Sequence, residues 1–177
     1  MPRVTTVKKA QKSQGTCEKC GNKIEVGSSY RWWKFRHGGR HVRCSDSKCA
    51  PRPSDLTQSE FYSTLYDLKD QLGTALDDFR AGGDPSDLSS TLTDIAGELR
   101  TLGEECQEKL DNMPEGLQQG DTGQLLQTRA EECDGKADEL ESAASTLDSY
   151  EEPEDEDDKE AARDDAVAEA DIDLSID

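Results

Sequence analysis

Four cysteines within a 33-residue stretch are the part of this sequence best suited to chemistry: Cys17-x2-Cys20, then 23 residues, then Cys44-x4-Cys49. A two-residue spacer folds as a knuckle whose two thiolates reach one tetrahedral ion, and Gly21, directly after the second thiolate, fits the knuckle turn. The second pair reads in two ways. Cys44 with Cys49 completes an all-cysteine set, whereas His41-x2-Cys44 supplies a histidine in place of Cys49. Spacing accommodates both; the all-cysteine set is preferred because Cys49, left beside the site, would be a reactive thiol without a role. Zinc is the expected ion for such donors. Clustering at metal-ligand spacing also argues against a disulfide framework and for thiolates in a reducing compartment.

Between the two pairs runs Tyr30-Arg31-Trp32-Trp33-Lys34-Phe35-Arg36. Cations supply charge for phosphates and flat rings supply faces for bases, which is what a nucleic-acid surface needs. The expected contacts are Arg31, Trp32, Lys34, Arg36, Arg40 and Arg43. On a strand, Tyr30, Trp32, Lys34 and Arg36 share one face and Arg31, Trp33 and Phe35 the other, and one of these faces is expected to pack. The competing reading makes both tryptophans the small core of the finger.

The motif resembles known fingers at two levels. Cys-x2-Cys, an aromatic strand and then His41-Val42-x-Cys44 are similar to the zinc finger of poly(ADP-ribose)-polymerase type. That resemblance implies DNA-break binding and Cys17, Cys20, His41 and Cys44 as ligands. The stretch from Cys17 through Pro51-Arg52-Pro53-Ser54-Asp55-Leu56, with later helices and Met113-Pro114-Glu115-Gly116-Leu117, resembles small zinc-finger proteins of bacteriophages. It implies no particular activity.

The elements that must position these residues follow from patterning. Residues 1–53 hold 13 Lys/Arg against 3 Asp/Glu and the remainder 8 against 37, so a segment of net charge +10 precedes one of −29. Such a split implies two parts with different partners. Residues 1–14 are expected to be a flexible basic arm and 15–56 a zinc-stabilised β-hairpin finger. Strands are expected near 29–36 and 40–43, joined by a tight turn at His37-Gly38-Gly39-Arg40. After Pro53 the pattern becomes helical, and Thr57-Gln58-Ser59-Glu60 reads as a capping box. Three apolar series follow: Phe61 to Phe79, Leu88 to Leu110 with coiled-coil-like steps, and Leu126 to Leu147. Residues 57–149 are thus expected to form an antiparallel helical hairpin or three-helix bundle. Residues 150–177, with 14 acidic residues from 151 onward, are expected to be a disordered tail in which Ala161 to Ala170 could form a transient helix.

Only 32% of the chain is hydrophobic and 5% aromatic, which excludes one large core. No apolar run approaches the ~20 residues of a membrane span. A cytoplasmic location is expected, in the host cell if the gene is a phage's. Cys106 and Cys133 fall on apolar helix faces and read as small buried hydrophobes. With two histidines, and no serine or cysteine beside a base, no catalytic residue is assigned and an enzyme is not expected. The sequence reads as a zinc-binding adaptor or regulator that contacts nucleic acid through its basic aromatic finger. The alternative is a protein-interaction or structural protein that self-associates or binds a partner through its helices.

Overall fold

A computed structural model describes residues 1–176, except for the side chains of Glu156 and Asp157. The chain forms two compact units, residues 1–66 and 67–177, and the boundary falls inside one helix. Three strands, β1 (Thr5–Val7), β2 (Tyr30–Lys34) and β3 (Arg40–Cys44), make an antiparallel sheet in the order β1-β2-β3. Five helices follow: α1 (Glu60–Arg80), α2 (Pro85–Asp111), α3 (Glu115–Gln118), α4 (Asp121–Asp148) and α5 (Glu156–Ala170).

In the first unit, β2 and β3 pair from Tyr30 opposite Cys44 to Lys34 opposite Arg40. The expected tight turn is absent. Neither Gly38 nor Gly39 adopts positive φ, and residues 35–39 form a wider connection. The expected flexible arm is also corrected, because Thr5–Val7 pairs with β2 and Ala10 is buried. Ala10 N–H donates to Ser28 O at 2.9 Å and Gly27 N–H to Ala10 O at 2.8 Å, which ties the N-terminal segment to the loop before β2.

Both faces of β2 pack, not one. Tyr30 joins Ala10, Cys17, Ile24, Val42 and Cys49 in a small core with Trp32 against it. On the opposite face Trp33 is 1% exposed, stacked on His41 with ring centres 5.2 Å apart and planes at 14°. The small area of these clusters gives the unit little hydrophobic stabilisation of its own.

The start of α1 is displaced from the expected capping box. Thr57 Oγ1 accepts from Ser59 N–H at 3.1 Å, and Ser59 Oγ accepts from Tyr62 N–H at 3.5 Å, so Ser59 takes the cap position two residues later.

In the second unit, α2 and α4 lie antiparallel: Ser89 reaches Ala144 O and Asp148, Arg100 reaches Asp138 and Glu141, and Gly103 abuts Cys133. Leu88, Leu92, Ile95, Leu99 and Leu102 of α2 and Ala130, Ala137, Leu140, Ala144 and Leu147 of α4 are buried, as their spacing requires. Alanines on α4 let the axes approach closely. The acidic C-terminal stretch is not the disordered tail expected from its composition. It forms α5, and Val167, Ala170, Leu174 and Ile176 are buried. Arg163 stacks over Phe79 at 4.7 Å and donates to Phe79 O and Gly83 O, occupying carbonyls at the C-terminal end of α1. Among the described residues no helix is long and apolar enough to cross a membrane.

Candidate metal centre

The knuckle is built by a backbone loop closed on itself. Cys17 N–H donates to Asn22 O at 2.8 Å, Gly21 N–H returns to Cys17 O at 2.9 Å, and Thr16 bridges Lys23. Gly21 has φ +72°, a left-handed conformation that L side chains rarely adopt, which explains a glycine after the second thiol. Glu18 N–H donates to Val42 O at 3.1 Å and Val42 N–H to Glu18 Oε1 at 3.3 Å, so the knuckle is held against β3 two residues from Cys44. The fourth cysteine arrives on a single 3₁₀ turn, Ser47–Cys49, whose start is capped by Asp46 accepting from Lys48 N–H at 2.8 Å.

The four Sγ atoms of Cys17, Cys20, Cys44 and Cys49 all lie within 4.8 Å of one another, a group that could hold a metal ion. Cys20 Sγ and Cys44 Sγ are 3.9 Å apart. A regular tetrahedron with metal–sulfur bonds of about 2.3 Å has sulfur–sulfur edges of about 3.8 Å. The Cys20–Cys44 pair therefore stands at a ligating separation, with the other thiols no more than about 1 Å beyond it. Cys17 and Cys49 are buried, at 1% and 4% exposure, whereas Cys20 is exposed.

Electrostatics separates the thiols. Burial alone would raise Cys17, but hydrogen bonds from the backbone of Cys20, Cys44 and Lys19 outweigh it and lower its pKa to about 6. Cys49 is pushed up to about 12, first by the neighbouring Cys44 thiol and then by burial, and burial also raises Cys44. Four thiolates this close repel one another without a cation between them. A divalent ion removes that conflict.

His41, the alternative ligand, is engaged elsewhere: its Nδ1 lies 3.0 Å from Glu18 Oε2 and its ring packs between Trp33 and Phe35. The cluster assembles Cys49 instead. Cys106 and Cys133 lie buried on α2 and α4, and burial raises both, Cys133 to about 12.

Of the six expected nucleic-acid contacts, Arg43 is withdrawn by the fold. It is 9% exposed, chelates Asp55 through Nη1 at 2.8 Å and Nη2 at 2.6 Å, and lies over Trp33. Arg31 is half-buried and donates to Cys44 O and Asp46 O, bracing the loop between Cys44 and Cys49. Arg40 lies 4.8 Å above Trp32 and donates to Tyr30 Oη and Gln14 Oε1. Lys34 and Arg36 are exposed. They line a groove of about 560 Å³ with Phe35, Tyr62 and Tyr66. Both tyrosines lie on α1, where their i, i+4 spacing puts them on one face.

No family model matches this chain, and neither a curated protein nor a solved structure is found similar to it.

Proposed function

We propose that Cys17, Cys20, Cys44 and Cys49 bind one structural zinc ion, and that the finger so organised binds nucleic acid. The observation that carries this reading is a four-thiol cluster built within the cationic part of an otherwise acidic chain. Zinc suits four sulfur donors, needs no open coordination position here, and supplies folding free energy that two small apolar clusters do not. Lys8, Lys9, Lys12, Lys19, Lys23, Lys48 and Arg52 are exposed on the same unit and add to Lys34, Arg36 and Arg40. That surplus suits a polyanion. The competing reading, a protein-interaction module, is favoured by the internal engagement of Arg31 and Arg43, which reduces the charge available to phosphates.

The test is binding of the zinc-loaded full-length protein to oligonucleotides over a salt series. The logarithm of affinity should fall linearly with the logarithm of salt, by about 0.7 to 0.9 per phosphate engaged. Cys17→Ser with Cys20→Ser should abolish both zinc and binding. Absence of binding at low salt, or undiminished binding by that variant, contradicts the reading.

A further inference from the structure

The groove beside the sheet is lined by cations and aromatic rings together. Lys34, Arg36, Phe35, Tyr62 and Tyr66 are among the residues that line it, and no aspartate or glutamate does, although the chain as a whole has a net charge of −19. Tyr62 and Tyr66 lie one turn apart on α1 with ring centres 6.3 Å apart and planes at 28°, a stack presented along one side of the groove. Phe35 stands on the connection leaving β2.

The groove is also held open in a defined shape. Gln58 Nε2 donates to His37 O at 3.0 Å, which fixes the β2–β3 connection to the approach to α1. The bidentate Arg43–Asp55 pair anchors the same approach to β3, and Asp55 further accepts from Arg52 N–H at 2.8 Å. Ser63 Oγ donates to Ser54 O at 3.4 Å. A cleft fixed from both sides loses little entropy when filled.

We propose that this groove binds single-stranded nucleic acid, with unpaired bases on the Phe35, Tyr62 and Tyr66 rings and phosphates on Lys34 and Arg36. The proposal rests on the nucleic-acid reading above and specifies its site and strand state. Aromatic faces inside a groove are accessible to unstacked bases and closed to those inside a duplex. Cations and aromatic rings lining one groove offer partners for phosphate and base together.

The test uses zinc-loaded full-length protein, a short labelled oligodeoxythymidine, a duplex of the same length and polyglutamate as competitor. The single strand should bind more tightly than the duplex. Tyr62→Leu with Tyr66→Leu should weaken single-strand binding about 10-fold or more, while Tyr62→Phe with Tyr66→Phe retains it. Lys34→Ala with Arg36→Ala should reduce the salt slope by about 1.4, the contribution of two phosphates on a single strand. Retained zinc, measured by native mass spectrometry, establishes that each variant is folded. Five results overturn the proposal: no binding to either nucleic acid, equal affinity of the leucine variant and the unaltered chain, duplex bound as tightly as single strand, an unchanged salt slope, or polyglutamate displacing the strand as well as unlabelled oligonucleotide does. The last would make the occupant an acidic polypeptide. Tight duplex binding would leave the broader reading standing; no binding to either nucleic acid removes both.

Discussion

At the scale of single residues, the convergence of four cysteines was legible and the fate of the arginines was not. Cysteine spacing states which thiols can converge, because a knuckle is a local structure. Spacing left both Cys49 and His41 open; the cluster brings in Cys49, and the 14° stack of His41 on Trp33 is a contact between strands that spacing does not reveal. Arg43 is a similar case: its partner Asp55 is twelve residues away, and nothing in the aromatic stretch announces it. Burial alone would raise the Asp55 carboxyl, but hydrogen bonds from Arg43 and from the Arg52 backbone, with the charges of both, hold it below its usual value. A carboxyl lowered on folding stabilises the fold above its unfolded pKa, and that contribution is lost as pH falls through the folded value. Asp55→Asn leaves the Arg43 charge buried and unpaired, and should cost the finger about 3 kcal/mol at neutral pH. Urea denaturation followed by tryptophan fluorescence measures it. The difference between variant and unaltered protein should begin to shrink as pH falls below about 4, the ordinary carboxyl value, and vanish only below the lower value of the folded aspartate; a difference independent of pH would mean that the ion pair is not its source.

At the scale of elements, long periodic segments were readable and short or acidic ones were not. The series Phe61–Phe79 and Leu88–Cys106 are buried where their spacing puts them. β1 is only three residues long, and it gains its order from pairing Thr5 with Trp32 and Val7 with Tyr30, which no local signal encodes. Composition misled at α5. Its carboxylates suggested a solvated tail, yet four apolar side chains between Val167 and Ile176 are buried, and Arg163 gives the helix a specific anchor. Lys69 adds a pairing with Asp173 at 3.2 Å. Arg163→Ala removes charge-assisted hydrogen bonds to two carbonyls and should lower the stability of the helical unit by about 1.5 to 3 kcal/mol. Thermal denaturation monitored at 222 nm reads this out. An unchanged midpoint would show that α5 contributes no stability through that anchor.

At the scale of the whole molecule, the charge split drawn after residue 53 lies thirteen residues before the structural division after residue 66, which separates a small cysteine-bearing sheet unit from a helical unit with the leucine and alanine seam of α2 and α4 in its core. Only the first has a reason to need metal, because its apolar clusters are small and its four thiols repel one another when ionised. The most direct test is a zinc titration of the metal-free full-length protein, following tryptophan emission and circular dichroism together. Trp33 is almost wholly buried in the folded finger and reports on its assembly. One equivalent of zinc should shift the emission to shorter wavelength with little change at 222 nm, and Cys17→Ser with Cys20→Ser should abolish the response. Buried-tryptophan emission already present without metal, or a response that does not saturate at one equivalent, would contradict a single zinc ion organising the finger.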